Sequence, residues 1–170
     1  NIYHTITIRT QIWMLENLKV TKYRNSKVIP NVSNDSSWNQ LTSGAYCNYI
    51  NNSINANTYG RLYNWYAVND SNNICPLGWH VATRSEWTTL SSLLTASGAG
   101  GKMKESGIVH WMSPNTGATN ESGFTGLPGG SWWYGTFGYM GKSGYWWTST
   151  DFNSMGAYYW WLDYNTAGTS

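Results

Sequence analysis

Few side chains of this sequence could carry out chemistry, and they are scattered along it. The 170 residues include three His, two Cys and eight Asp or Glu. Catalysis or tight metal binding needs several such groups close together, yet His4 and His110 have no His, Cys or acidic neighbour at the spacing of metal ligands. His80 ends the apolar segment 75–79, which favours a structural role. We therefore predict no catalytic residue, no metal site and no cofactor.

Asp151 and Asp163 both lie in the aromatic C-terminal region and leave two alternatives open. A glycosidase uses two carboxylates that face each other across a cleft, and a calcium site gathers more oxygen ligands than these two. The segment 127–130 is glycine-rich, but it lacks the Lys-Ser or Lys-Thr pair of a phosphate-binding loop. A turn is therefore the better interpretation of that segment, and we expect neither carboxylate to be catalytic.

The composition excludes several classes of partner. Only 11% of the residues are charged, 16% are aromatic, and the net charge is +2. No basic run could neutralise successive phosphates, so nucleic acid is not expected as a partner. No stretch approaches the ~18 apolar residues that span a bilayer, so we expect no membrane insertion by this domain. Solubility must come from Asn, Ser, Thr and Gly, as is typical of extracellular domains.

The first half of the chain predicts a strand, a long ordered loop and two helices. Alternation in the segment 3–8 places Ile2, Ile6 and Ile8 on one face of a strand, and the Asn- and Ser-rich segment 31–57 follows as loop. From Thr58, apolar residues at helical spacing predict a helix of about three turns. Its spaced residues are Leu62, Trp65, Tyr66 and Asn69.

The second helix has clearer signals at its start. Thr83 and Glu86 form a capping box, in which each side chain bonds the other's backbone N–H. Trp87, Leu90 and Leu94 form its buried stripe, and we expect the glycines between 98 and 101 to end it.

Beyond Gly107 the sequence predicts only strands and glycine-rich turns. Three Trp-Trp pairs begin at Trp132, Trp146 and Trp160, at equal intervals. Since neighbours on a strand point to opposite faces, one Trp of each pair should enter the core and the other should face outward. The element order predicts an α+β fold in one domain over 1–170. So many rings cannot all be buried, and exposed Trp and Tyr beside Asn, Ser and Gly are typical of binding surfaces.

The motifs of the sequence resemble those of the Fibrobacter succinogenes major paralogous domain family along nearly the whole chain. Together they are highly specific. They are TQIWMLENL at 10–18, YGRLYNWYAV at 59–68, CPLGWHV at 75–81, SEW at 85–87, GFTGLPGG at 123–130 and YWWTST at 145–150.

The resemblance implies a C-type-lectin-like domain of the formylglycine-generating-enzyme type. It also implies a bacterial cell-surface or secreted protein, commonly a lipoprotein, without established enzymatic activity. Some relatives are variable proteins of diversity-generating retroelements, in cells or on phage particles, in which a C-terminal patch is hypermutated to change the ligand.

The sequence departs from the family pattern in three places. Trp132 and Trp160 stand where the family usually has Arg, and Ala82 stands where Pro is common. The chain is also expected to lack the family's last strand and its cysteine. Cys47 and Cys75 permit one disulfide, and the sequence leaves open whether it forms.

The resemblance also implies which residues bind. In the strand after Ala157, the positions of Tyr158, Leu162 and Tyr164 look structural, and the interleaved ones vary. Strand alternation independently places Tyr159 and Trp161 on one face. The implied ligand-binding residues are Tyr159, Trp161, Asp163 and Asn165, with Trp133, Tyr134, Tyr139, Lys142 and Tyr145 beside them.

Three functions follow as hypotheses. The first is a non-catalytic extracellular module that recognises a glycan or a protein, for adhesion or receptor recognition. The second is a structural subunit of a surface layer or fibre, because a large exposed apolar patch favours self-association. The third is an oxidase-like enzyme of the same fold, which would need paired thiols or a histidine cluster that the sequence does not suggest.

Overall fold

The computed structural model describes residues 1–133, 135–153 and 156–169, and the chain mixes helices and strands as predicted. Within these residues the strands form four two-stranded antiparallel sheets, β1–β2, β3–β4, β5–β6 and β7–β8. The strands are β1 Thr5–Ile8, β2 Gln11–Met14, β3 Tyr46–Cys47, β4 Leu62–Tyr63, β5 Gly129–Trp133, β6 Thr136–Met140, β7 Ser143–Asn153 and β8 Gly156–Asp163.

The helices are short and lie between β2 and β5. They are α1 Asp35–Asn39, α2 Asn55–Tyr59, α3 Trp65–Val68, α4 Arg84–Leu93 and α5 Ala99–Met103, with 3-10 turns at Tyr49–Asn51 and Ala96–Gly98. In the described part of the chain, none of the helices has the length and apolar character needed to cross a membrane.

The N-terminal strand forms over part of the predicted segment. Ile8 is buried and Ile6 packs against the same core, as the alternation predicts. Ile2 is exposed, because the strand begins only at Thr5 and Ile2 lies outside its register with β2.

The helix predicted from Thr58 does not form as one element of three turns; of its spaced residues, only Trp65 and Tyr66 are helical, in the one-turn helix α3. The chain leaves α2 at Gly60, whose φ of 76° lies in the left-handed region. A Cβ at Gly60 would lie 2.6 Å from the Cβ of Asn17, so only glycine fits there. Leu62 and Tyr63 then form β4 against Tyr46 and Cys47, a pairing with a distant segment that local helical spacing cannot reveal.

The capping box of α4 is confirmed. The Thr83 hydroxyl accepts a hydrogen bond from the Glu86 N–H at 3.1 Å, and Glu86 Oε2 accepts one from the Thr83 N–H at 2.7 Å. Trp87 and Leu90 are buried and Leu94 packs beside them, also as predicted.

The glycines after α4 do not end it. The helix stops at Leu93, and Gly98 precedes the additional helix α5. A Cβ at Gly100 or Gly101 would lie 2.0 Å and 2.2 Å from the carbonyl oxygens of Gly168 and Gly117. These glycines therefore allow close backbone packing rather than helix termination.

The buried side chains form two clusters. In the first, Trp87 stacks on Trp160 with ring centroids 5.6 Å apart and planes 9° apart. This cluster contains Ile8, Trp13, Trp87, Leu90, Met103, Trp111, Phe124, Trp160 and Leu162. The second contains Tyr23, Ile29, Tyr46, Ala67, Ile74 and Cys75. The first cluster joins the N-terminal strands and α4 to the C-terminal hairpin β7–β8.

The disulfide between Cys47 and Cys75 is not formed. Both side chains are buried thiols, Cys47 in β3 and Cys75 in the second core cluster. Burial raises the pKa of the Cys75 thiol to about 11, so it is a weak nucleophile at neutral pH.

Candidate ligand-binding cleft

The hairpin β7–β8 has one buried face and one outward face. Trp146 pairs with Trp160, and Gly144 pairs with Leu162, on the inner face. The Trp146 Nε1–H donates to Asn17 Oδ1 at 2.8 Å, which anchors this face to the N-terminal half.

The side chains that alternate with these residues along β7 and β8 lie on the outward face. It contains the cross-strand pairs Tyr145–Trp161 and Trp147–Tyr159. Tyr159 and Trp161 therefore share one face, as the sequence predicts.

Three tyrosines on neighbouring strands form a continuous row, which we call the tyrosine ladder: Tyr139, Tyr145 and Tyr159. The ring centroids of Tyr139 and Tyr145 are 6.3 Å apart with an interplanar angle of 71°. Those of Tyr145 and Tyr159 are 5.9 Å apart at 67°. Both ends of the ladder reach solvent, since Tyr139 is 56% and Tyr159 is 51% exposed.

The tyrosine ladder lines a cleft of about 1070 Å³. One wall comes from the C-terminal half and contains Trp132, Trp133, Tyr139, Tyr145, Trp147 and Tyr159. The other wall comes from the N-terminal half, chiefly from segments 10–18, 61–65 and 79–82 together with Trp38 and Asn39. The cleft therefore lies where the two halves of the chain meet.

Side-chain contacts hold the two walls together. The Trp147 Nε1–H donates to the Tyr63 carbonyl oxygen at 2.8 Å, and its ring lies 5.9 Å from that of Trp65. At the other end, Trp38 packs on Trp132 with centroids 5.5 Å apart. These contacts order the rings of the cleft before any ligand binds.

The two carboxylates that line the cleft are already hydrogen-bonded. Glu16 accepts hydrogen bonds from the His4 N–H at 2.8 Å and contacts the His4 ring. Glu86 accepts from Thr83 and contacts His80 Nε2 at 2.9 Å. Burial raises the pKa of both carboxyls, but these hydrogen bonds outweigh burial and leave each pKa below its ordinary value.

The arginine of the cleft is held in the same way. Arg61 donates to Asn48 Oδ1 at 2.5 Å and to the Lys19 carbonyl oxygen at 3.1 Å. Its guanidinium also lies 4.6 Å from the ring centroid of Tyr46. Among the described lining residues, every charged side chain thus has partners within the protein.

Four of the nine predicted binding residues line the cleft. They are Trp133, Tyr139, Tyr145 and Tyr159. Trp161 lies on the same face, opposite Tyr145, but does not line the cleft. Tyr134 lies outside the described residues.

The other three predicted residues lie at the end of the hairpin. Lys142 is in the turn between β6 and β7, and Asn165 follows β8. Asp163 accepts a hydrogen bond from the Ser143 hydroxyl at 2.6 Å. Asp151 pairs with Ala157, near the opposite end of the hairpin from Asp163, so these two carboxylates do not face each other as a glycosidase would require.

Sequence reasoning missed the N-terminal wall and the ring of Trp147. Their part in the cleft depends on contacts between segments far apart in the chain, which local patterns do not encode. Family motifs coincide with much of this wall, at 10–18 and 59–68, and that overlap is the signal that could have located it.

The histidines each contact one glutamate. His4 contacts Glu16, His80 contacts Glu86, and His110 Nδ1 lies 2.9 Å from Glu105. His80 is exposed, not surrounded by apolar residues as its sequence neighbours suggest. Across the described residues, no group of three or more His, Cys, Asp or Glu side chains could hold a metal ion.

Comparison with known families identifies one matching family. The model of the Fibrobacter succinogenes major domain matches residues 6–167, nearly the whole chain. The chain belongs to this family. No curated protein and no solved structure matches it significantly.

Proposed function

We propose that the chain is a non-catalytic binding module that holds its ligand in the aromatic cleft. The main support comes from the aromatic residues on the C-terminal wall of the cleft. The side chains of Trp133, Tyr139 and Tyr159 are each more than half exposed there. Rigid rings provide contact area at a low cost in conformational entropy. A soluble domain gains nothing in stability by exposing these rings, so their exposure supports recognition.

The proposal also includes the fold and the location that the family resemblance implies. We infer a C-type-lectin-like fold and a location at a bacterial cell surface, outside the cell or on a phage particle. The scarcity of charge, with Asn, Ser, Thr and Gly at the surface, supports this location. The α+β element order, which ends in the long hairpin β7–β8, is compatible with this fold.

An enzymatic role has less support. Oxidase-like chemistry on this fold needs paired reactive thiols or a histidine cluster. Cys75 is a buried thiol whose pKa burial raises to about 11, and each histidine contacts a separate glutamate.

The test is a binding panel that contains neutral polysaccharides, acidic polysaccharides and a displayed peptide library. We compare the wild type with the double variant Tyr139→Ala/Tyr159→Ala, which shortens the tyrosine ladder from both ends. Phe152→Ala is the matched control, because Phe152 is a 68% exposed ring on β7 outside the cleft.

We expect saturable binding of at least one panel member by the wild type and by Phe152→Ala. The double variant should bind at least about tenfold more weakly, equivalent to about 1.4 kcal/mol, with an unchanged circular dichroism spectrum. Equal binding by the folded double variant, or binding of no member by the wild type, would contradict the proposal.

A further inference from the structure

We propose that the cleft binds a single, uncharged polysaccharide chain over several sugar units. This inference rests on the proposed function and specifies its ligand. Three properties of the cleft support it: its charge, the geometry of its rings and its size.

The charge of the cleft argues for a neutral ligand. The charged residues among the described lining are Glu16, Arg61 and Glu86, and each is already hydrogen-bonded within the protein. An acidic polymer or a charged peptide needs opposite charges that are available to pair with it. The lining offers no such group among these residues.

Uncharged hydrogen-bonding groups accompany the rings. Asn39 is exposed and Ser131 is half-buried in the lining, and the tyrosine ladder adds three phenol groups. Sugar hydroxyls donate and accept hydrogen bonds, while the C–H faces of pyranose rings are apolar and pack on aromatic rings. A lining that contains both rings and uncharged amide and hydroxyl groups therefore matches both surfaces of a neutral sugar.

The tilt of the rings selects a single chain rather than a crystalline surface. Neighbouring ladder rings are inclined at 71° and 67° to each other. A flat polysaccharide crystal would need coplanar rings to contact all of them. A free chain can rotate about its glycosidic bonds and present successive units to inclined rings.

The size of the cleft indicates several sugar units. Its volume of about 1070 Å³ lies just above the ~300–1,000 Å³ that small-molecule sites occupy. One monosaccharide would leave most of the rings uncovered. We therefore expect affinity to increase with chain length until the cleft is filled.

The experiment is calorimetric titration of the whole chain. The probes are soluble neutral polysaccharides (xyloglucan, glucomannan and dextran), the acidic polymers polygalacturonate and alginate, and oligosaccharides of increasing length. Sedimentation with crystalline cellulose and chitin tests surface binding. Each titration is repeated at low and high salt, with Tyr139→Ala/Tyr159→Ala and Phe152→Ala beside the wild type.

We expect at least one soluble neutral polysaccharide to bind, with affinity that rises with oligosaccharide length and changes less than about twofold with salt. The ladder variant should lose at least about tenfold in affinity, and Phe152→Ala should not. Ladder-dependent binding only to an acidic polymer, to a crystalline surface or, in the binding panel of the proposed function, to a displayed peptide would overturn this inference and leave the proposed function standing. Binding of no class of ligand would overturn both.

Discussion

Lys104 illustrates how a single buried residue fixes the end of the strand that carries part of the cleft. Its side chain is completely buried, and its ammonium donates to the carbonyl oxygens of Thr116, Asp163 and Thr166 at 3.0, 2.8 and 2.9 Å. Burial lowers the pKa of Lys104 to about 8, although the nearby Asp163 charge opposes this shift. The lysine thereby joins the end of β8 to the loop after α5.

We expect Lys104→Met to lower the free energy of unfolding by about 3 kcal/mol, because three carbonyl oxygens would lose the buried ammonium that donates to them, and an unsatisfied group costs about 1–3 kcal/mol when it is kept from water. Removing a buried charge offsets part of this loss. Chemical denaturation monitored by circular dichroism measures the change.

Lys102→Met is the control, since Lys102 lies in α5 two residues before Lys104, and its ammonium makes only long contacts, with Glu121 at 3.3 Å and with Thr95 at 3.4 Å. Its substitution should cost less than about 1 kcal/mol. Equal stability of the Lys104 variant and the wild type would contradict the structural role of Lys104.

At the scale of elements, α4 is stabilised at its first turn by a carboxylate. Glu86 bonds the Thr83 backbone and hydroxyl and contacts His80. Although burial opposes ionisation, these hydrogen bonds hold the pKa of Glu86 below its ordinary value of 4.5. The carboxylate therefore contributes stability above about pH 4.5, and this contribution is lost as the pH falls through the lower, folded-state pKa.

We expect Glu86→Gln to lower the free energy of unfolding at pH 7 by about 0.5–1 kcal/mol, since a negative charge at a helix N-terminus is favourable. The difference from the wild type should shrink as the pH falls below about 4. Urea denaturation from pH 7 to pH 3 measures both quantities. The surface control Glu121→Gln should show little change at either pH; a Glu86→Gln deficit that persists at pH 3 would refute the assigned role of the charge.

Two elements, α4 and β8, show which structural features can be predicted from the sequence. The cap of α4 was predictable because Thr83 and Glu86 are three residues apart and interact within one helical turn. The outward face of β8 was predictable because Tyr159 and Trp161 follow strict alternation. Both are local patterns.

Other features depend on contacts between distant segments. The helix predicted from Thr58 fails because Gly60 must pack against Asn17 and because β4 pairs with β3. The opposite wall of the cleft was missed for the same reason, since Trp147 meets Tyr63 and Trp65 only in the folded chain. The spacing of residues along the chain contains no information about these contacts between distant segments.

At the scale of the whole molecule, the cleft results from packing the N-terminal half onto the C-terminal hairpins. Trp146 bonds Asn17, Trp147 bonds the backbone of Tyr63, and Trp38 packs on Trp132. Because these contacts already order most of the rings, ligand binding should need little rearrangement. We therefore predict a preformed site whose exposed rings are covered by the ligand.

The most direct test uses Trp133, which is the one exposed side chain among the 12 tryptophans, all within the described residues. Iodide quenching of intrinsic fluorescence reports on this residue, and Trp133→Phe identifies its contribution. The titration uses the polysaccharide that binds most tightly in the panel. We predict that saturating ligand shifts the emission to shorter wavelength and reduces the iodide-accessible fraction in the wild type. Both changes should be smaller in Trp133→Phe, in which only half-buried tryptophans such as Trp132 and Trp147 remain to respond. A saturated complex in which Trp133 stays as accessible to iodide as in the free protein would contradict binding in the cleft.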